Sequence, residues 1–178
     1  RDGLGDASVP KEPVVLMVAN ALAGTRKLKG LDCFAKVSAQ VPEARFVLVG
    51  KTDETTAKEL KSISPRLEVL GELPYGEMVS WMRRAKVCCQ LSYRESFGVA
   101  VLEAMACGCV PVVTRAGALP DVVGEAGHYV EYDDVTGTVD AVRSALKADG
   151  KAAAERSKAF SADKREEGLV DAIGSVLR

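Results

Sequence analysis

The sequence lacks the features that define several large classes of protein. No apolar run approaches the roughly 20 residues needed to span a bilayer, and no secretory signal pattern is present. The net charge of −1 gives no basic excess of the kind that nucleic-acid binders carry, so we expect no nucleic-acid partner. The only histidine, His128, excludes a multi-histidine metal site and is expected to be structural. No G-x-G-x-x-G follows the first apolar run, which disfavours a nicotinamide-binding domain.

The use of cysteine excludes two further kinds of site. The sequence has five cysteines, an odd number, and no C-x-x-C pair, so it fits neither a disulfide framework nor a zinc site. Such thiols are typical of a protein kept reduced in the cytoplasm, and we expect them to be buried, with no metal bound. The cysteines are Cys33, Cys88, Cys89, Cys107 and Cys109.

What the sequence does contain is a regular alternation of short apolar runs and longer helical patterns. Short apolar runs that are each followed by a helix indicate a parallel sheet buried on both faces. The predicted fold class is therefore α/β, a doubly wound parallel sheet of Rossmann-like type. Strands are predicted over residues 14–18, 46–49, 67–70, 87–91, 110–113 and 128–131. Helices are predicted over residues 31–41, 54–63, 75–85, 98–106, 119–123, 135–148 and 162–177, with 149–160 left open between helix and linker.

The length of 178 residues suits one domain and not two. We assign residues 14–178 to that domain and residues 1–13 to a linker or interdomain segment. Because the chain begins at Arg1 and not at methionine, we expect that residues upstream of it are missing.

One loop of the predicted sheet stands out as a candidate site. Ligands of doubly wound sheets bind outside the carboxyl ends of the strands, and in segment 94–108 a polar loop at such an end opens a helix near Gly98. The free N–H groups of a helix N-terminus bind anions, and glycine lets a phosphate approach the backbone. Glu103 is the only charge in the run 98–106, roughly 7 Å along the axis from the start of the helix. It is a candidate to accept sugar hydroxyls, and the alternative is a solvated helix face.

Charged residues also lie near this loop and in the loop after the first strand. Glu95 precedes the helix at a position suited to hydrogen bonding with a sugar, and the alternative is an ordinary surface charge. The loop 24–30 carries Arg26 and Lys29, and such cations would neutralise a diphosphate. The alternative for this loop is a solvated basic surface.

The segment from Glu95 through Glu103 resembles a segment of a known family. It is similar to the E-x7-E segment of the family-4-type retaining glycosyltransferases, which have the GT-B fold. Further similarity to that family, including its G-G-x-P-E-(I/V)-V loop and its G-x-L-V strand entry, is found at residues 46–50, 70–73, 104–113, 117–123 and 127–130. The resemblance covers residues 14–148 and concerns the C-terminal, donor-binding domain of these enzymes.

The resemblance implies a role for each candidate residue. Glu103 would accept the ribose hydroxyls of the donor, Glu95 would lie near its sugar hydroxyls, and Lys29 would neutralise the leaving diphosphate. Backbone groups of other residues would face the sugar, the diphosphate and the base, namely those of Ser96, Phe97, Gly98, Val99, Gly50 and Gly71. The family usually has an arginine a few residues before the lysine, where this sequence has Gly24. We favour Arg26 as its replacement, and the alternative is that the second cation is lost.

The activity implied by the resemblance is transfer of a hexose from a nucleoside-diphosphate sugar to a glycan, lipid or small-molecule acceptor, with retention at the anomeric carbon. This chain would be the donor-binding half and inactive alone, and its partner would be the acceptor-binding N-terminal half of the same polypeptide. Peripheral membrane association through that half, and chemistry without a metal or other cofactor, are further expectations. The alternatives are a non-catalytic nucleotide-sugar-binding module and a GT-B-type epimerase.

Overall fold

The computed structural model describes residues 9–160 as six strands that alternate with α-helices. The strands are β1 Glu12–Val18, β2 Arg45–Val49, β3 Glu68–Gly71, β4 Ala85–Gln90, β5 Val110–Thr114 and β6 His128–Val130. The helices are α1 Leu31–Gln40, α2 Glu54–Ile63, α3 Tyr75–Arg84, α4 Val99–Ala106, α5 Leu119–Val123, α6 Val135–Lys147 and α7 Lys151–Ser157, followed by a 3₁₀ turn at Lys158–Phe160. Among these helices, none has the length and apolar character needed to cross a bilayer.

The strands form one sheet in the order β3-β2-β1-β4-β5-β6, and every neighbouring pair is parallel. This arrangement confirms the predicted α/β, doubly wound fold. The chain builds one half of the sheet outward from β1 to β3 and then returns to β4 on the other side of β1. In sheets of this kind a crevice forms at the carboxyl ends of the two strands where the order reverses, here β1 and β4.

Helices cover both faces of the sheet, which explains why the strands are apolar at successive positions. Val15 and Met17 of β1 pack on one face, in a cluster with Phe34 of α1. Val14 and Leu16 pack on the other face, with residues of α3, α4 and α5. Because neighbouring strand residues point to opposite faces, a strand buried on both sides loses the usual alternation of polar and apolar residues.

The first strand begins earlier than its apolar run predicts. Glu12 opens β1, and its carboxylate accepts a hydrogen bond from Arg84 Nε at 2.7 Å. Lys11 Nζ donates to backbone carbonyl oxygens at 3.2 Å from Met82, 2.9 Å from Ala85 and 2.7 Å from Cys107. Glu12 and Pro13, which we assigned to the linker 1–13, therefore belong to β1, and Lys11 is hydrogen-bonded to the same domain. Hydrophobic patterning does not reveal this, because the partners of Lys11 and Glu12 lie far along the chain.

The segment 149–160, left open between helix and linker, is mainly helical. Arg156 of α7 donates from Nε to the carbonyl oxygen of Val122 at 3.2 Å, which ties this segment to α5. The ring of Phe160 meets that of Phe97 edge-on, with centroids 5.9 Å apart. The end of the segment therefore contacts the loop before α4. The helix predicted over 162–177 lies outside the described residues.

All five cysteines are buried and free, as the sequence predicts. Burial raises the pKa of Cys33 and that of Cys107 to about 11, so both remain thiols at neutral pH. His128 lies half-buried on β6. The cytoplasmic location that this cysteine usage suggests stays a prediction.

Candidate functional site

An open cleft of about 440 Å³ lies at the carboxyl ends of β1 and β4. The loop after β1 and the loop after β4 form its two sides, and the loop after β2 borders it. Most of the candidate residues line this one cleft, namely Lys29, Gly50, Glu95, Ser96, Phe97, Gly98 and Val99. The fold therefore brings together residues that are up to 70 positions apart in the sequence.

An ion pair joins the two sides of the cleft. Lys29 Nζ donates to Glu95 Oε2 at 2.9 Å, and the side chains of these residues are 28% and 15% exposed. Glu95 also accepts from Gln90 Nε2 at 2.9 Å and from the backbone N–H of Ser96 at 3.1 Å. The carboxylate is thus held by a cation, an amide and a backbone donor, and it keeps two of these three partners if Lys29 turns to a ligand.

Buried polar side chains support Glu95 from within the sheet. Gln90, 3% exposed, donates a second hydrogen bond from Nε2 to Ser92 Oγ at 2.7 Å. Thr114 Oγ1 donates to the carbonyl oxygen of Ser92 at 2.6 Å, which links β5 to the loop after β4. Our sequence reasoning missed this support. The available signal was Gln90, the one polar residue in the otherwise apolar run 87–91.

Two glycines let neighbouring loops touch the backbone of the β4–α4 loop. Gly30 has φ +66°, and a Cβ there would overlap the carbonyl oxygen of Leu91. Gly117 has φ +56°, and a Cβ there would overlap the carbonyl oxygen of Glu95. The positive φ and the close approach both require glycine. The loop that carries Glu95 is therefore fixed from the side of Lys29 and from the side of α5.

Replacing Gly30 by alanine is expected to lower the free energy of unfolding by at least about 2 kcal/mol. The alanine methyl group would meet the carbonyl group of Leu91, and the left-handed backbone would be strained as well. Gly24→Ala in the same loop is the matched control, since a Cβ there meets no atom within 4 Å. Urea unfolding followed by circular dichroism measures both variants, and equal midpoints for the two would show that the close approach at Gly30 does not matter.

The N-terminus of α4 opens on the cleft. Gly98 precedes the helix in the left-handed conformation, with φ +86°, and provides no side-chain cap. The first N–H groups of a helix have no partner within it, so here they are open to an anion or to water. Phe97 and Val99 flank this glycine and are 37% and 48% exposed. The arrangement is suited to receiving a phosphate group next to the Lys29 ammonium.

Glu103 lies one helical turn beyond the cleft-lining residues Val99 and Ala100, on the same face of α4. It is only 8% exposed. Its Oε1 accepts a hydrogen bond from the hydroxyl of Tyr75 at 3.2 Å, and Tyr75 is the first residue of α3. Because α3 starts after β3, at the same edge of the sheet, the carboxylate faces the strand-end rim and not the opposite end of the domain.

The two candidate glycines of the second and third loops differ in their surroundings. At Gly50, which borders the cleft, a Cβ would overlap the carbonyl oxygen of Ala19, so this glycine serves close contact between two backbones. Gly71 has φ +75° and no atom within 4 Å of a Cβ position. The N–H of Gly50 donates to the carbonyl oxygen of Gly71 at 2.8 Å, which joins the loops. Open space is thus found at Gly71, beyond the cleft on the side of β3.

Arg26, expected to supply the second cation, has carboxylate partners outside the cleft, and its role as that cation stays a prediction. Its guanidinium forms ion pairs with Asp32 of α1 and Glu59 of α2, and Arg26 does not line the cleft. The physical reason is that α1 and α2 are neighbours and bring two carboxylates to the arginine. The place of the cation in its loop can be read from the sequence, but the acids that folding places around it cannot.

Two curated relatives are similar to this chain over about three quarters of its length. A relative from Bacillus anthracis, N-acetyl-alpha-D-glucosaminyl L-malate synthase, is 31% identical over 140 residues, which are 76% of this chain and 36% of the relative. A D-inositol 3-phosphate glycosyltransferase from Mycobacterium avium is 33% identical over 147 residues, 76% of this chain and 34% of the relative. The matched part of this chain thus spans about a third of the length of these curated relatives.

Solved structures share the fold at lower identity. Sucrose-phosphate synthase from Thermosynechococcus elongatus superposes with a TM-score of 0.75 at 23% identity, covering 97% of this chain and 47% of that one. Anabaena HepE in complex with UDP and glucose gives a TM-score of 0.77 at 19% identity, covering 93% and 49%. The sequence profile of the family described as glycosyl transferases group 1 matches residues 12–148, well over half of this chain. The protein therefore belongs to the group 1 glycosyl transferase family.

Proposed function

We propose that this chain is the donor-binding half of a retaining glycosyltransferase, which transfers a hexose from a nucleoside-diphosphate sugar. The observation that carries the proposal is the meeting of Lys29, Glu95 and the N-terminus of α4 in one open cleft, where the strand order reverses. Family membership supports sugar transfer as the reaction. The structure of Anabaena HepE in complex with UDP and glucose supports a nucleoside diphosphate as the ligand class.

In this proposal the diphosphate binds at the N-terminus of α4. The first N–H groups of the helix and the Lys29 ammonium face the same space, and they would stabilise the negative charge that develops on the leaving group. Fixed donors of this kind need little reorganisation during the reaction. The proposal assigns this charge stabilisation to the chain's own groups and includes no metal.

Donor binding would exchange the partners of the ion pair. Lys29 would leave Glu95 for the diphosphate, and sugar hydroxyls would take its place on the carboxylate. Glu95 keeps its hydrogen bonds from Gln90 and from the Ser96 N–H, so it stays oriented during the exchange. Glu103, further along α4, would accept the two ribose hydroxyls. The nucleoside would then extend from the cleft toward Gly71.

We propose that a second half of the polypeptide supplies the remaining parts of the reaction. Since the matched residues make up only about a third of each curated relative, we propose that the acceptor binds to a second half of the same polypeptide. That half would close over the cleft and complete the transfer with retention. We also propose a cytoplasmic location for the protein.

Calorimetric titration of the 178-residue chain with UDP, GDP and ADP tests the proposal. We expect saturable binding of one nucleoside diphosphate in clear preference to the other two, because a site shaped for one base leaves polar groups unpaired with the wrong one. That preference would also identify the base of the donor. Absence of binding by all three would contradict the proposed function.

The state of Arg26 favours a second candidate, a non-catalytic nucleotide-sugar-binding module of the same fold. Because the Arg26 guanidinium is paired to Asp32 and Glu59, Lys29 is the one cation among the described residues that line the cleft. A binding module needs no second cation on a leaving group. The complete polypeptide separates the candidates: hydrolysis or transfer of its preferred nucleotide-sugar indicates an enzyme, and tight binding without turnover indicates a module.

A further inference from the structure

Tyr75 is an exposed residue with a fixed hydroxyl. The residue is 52% exposed, so its ring contributes little to the core, and yet its hydroxyl donates to Glu103 Oε1 at 3.2 Å. Its place is set by the backbone, because Pro74 precedes it as the N-cap of α3 with φ −53°. The contact therefore depends on where α3 begins and on how α3 packs against α4.

The packing of the two helices keeps this contact in place. Val79 and Met82 of α3 lie in the same buried cluster as Val101 and Met105 of α4. Their close packing leaves little freedom for one helix to slide along the other. This packing therefore holds the start of α3, where Tyr75 lies, close to Glu103 of α4.

The hydrogen bond holds one oxygen of Glu103 and leaves room for a ligand. A carboxylate offers about four acceptor sites on its two oxygens, and the tyrosine hydroxyl uses one of them. The Glu103 carboxylate is 8% exposed, so it has little contact with solvent and depends on donors from the protein. A donor in a fixed position also limits the rotation of the carboxylate. A Cβ at Gly71, four residues before Tyr75, would meet no atom within 4 Å, so open space is found near the start of α3, where the proposed function puts the nucleoside.

We propose that Tyr75 is a positioning residue for the nucleoside: its hydroxyl orients the Glu103 carboxylate so that the remaining acceptor sites meet the two ribose hydroxyls. This inference rests on the proposed function, since it requires a nucleoside diphosphate in the cleft. Neither the E-x7-E pattern nor the cleft lining includes Tyr75. Its role follows from the hydrogen bond to Glu103 and from the fixed start of α3.

The test is a calorimetric comparison of the wild-type chain with Tyr75→Phe, which keeps the ring and removes the hydroxyl. Each protein is titrated with UDP, GDP and ADP, with their 2′,3′-dideoxy forms, and with inorganic pyrophosphate. Tyr129→Phe is the matched control, because it also removes one hydroxyl, which donates to the carbonyl oxygen of Gly124 at 2.7 Å near the sheet edge.

We expect Tyr75→Phe to weaken binding of the preferred nucleoside diphosphate about fivefold. Affinity for its dideoxy form and for pyrophosphate should not change, because neither ligand presents ribose hydroxyls to Glu103. Tyr129→Phe should bind all ligands as the wild type does.

Four results would overturn the inference. An equal loss for the dideoxy nucleotide or pyrophosphate would show a structural role, and so would an equal loss in Tyr129→Phe. Unchanged or tighter binding of the nucleoside diphosphate by Tyr75→Phe would show that the hydroxyl does not prepare the carboxylate. If the wild type binds no nucleoside diphosphate at all, the proposed function fails and the inference fails with it.

Discussion

Replacing Glu103 by glutamine is expected to weaken nucleoside diphosphate binding to this chain about a hundredfold, or about 2.7 kcal/mol. Glutamine has nearly the same size, but it exchanges one acceptor oxygen for a donor and removes the charge. Two charge-assisted hydrogen bonds to vicinal hydroxyls then become weaker neutral bonds, and only one side-chain oxygen remains to accept from them. The measurement is calorimetric titration of the variant with the nucleotide that the wild type prefers.

Glu43→Gln is the matched control for this substitution. Glu43 lies near the opposite end of the sheet, just before β2, and forms a half-exposed ion pair with Arg143 at 3.0 Å. Its replacement removes a carboxylate without touching the cleft, so affinity should stay at the wild-type value. Pyrophosphate should bind equally well to both variants, since it carries no ribose. Equal nucleotide affinity in Glu103→Gln and Glu43→Gln would remove Glu103 from the site.

Replacing Lys29 by methionine in the complete polypeptide is expected to lower the rate of sugar transfer by about a hundredfold or more. The ammonium is the one cleft-lining cation in the described part of the chain, and the proposal places it on the leaving diphosphate. Methionine keeps much of the length and apolar surface of the lysine stem and removes only the charged end. Initial rates with the preferred nucleotide-sugar, at saturating concentration, measure the effect on the chemical step.

Lys36→Met serves as the control, because Lys36 lies on an exposed position of α1 away from the cleft. It changes net charge by the same amount, so long-range attraction of the nucleotide falls equally in both variants. Melting temperatures of the two variants should be similar, since the Lys29–Glu95 pair is partly solvated and such pairs contribute little to stability. Wild-type turnover in Lys29→Met would contradict the assignment.

The fold could be predicted because its signal is local and repeated. Each strand is a short apolar run, each helix has its own period, and parallel topology follows from their alternation. Helix α2 illustrates this, since its predicted bounds agree with the structure and Asp53 caps it through a hydrogen bond from the Thr56 N–H at 2.8 Å. The start of β1 could not be predicted, because Glu12 is charged and its partner in the sheet domain, Arg84, lies 72 residues later in the chain.

The site could be predicted only as far as sequence neighbours determine it. Glu95 and Glu103 share one loop and helix, and the rule for parallel sheets brings Lys29 to the same rim. The partners of Arg26 come from two other helices, and the donor to Glu103 is Tyr75, 28 residues earlier in the chain. Hydrogen bonds between distant side chains depend on packing details that no short motif encodes.

A crystal structure of this chain with its preferred nucleotide tests most directly where the nucleoside diphosphate binds. We predict the diphosphate against the first N–H groups of α4 and Lys29 Nζ, with Glu103 within hydrogen-bond distance of both ribose hydroxyls. A nucleotide bound elsewhere, or one whose ribose lies away from Glu103, would contradict the account.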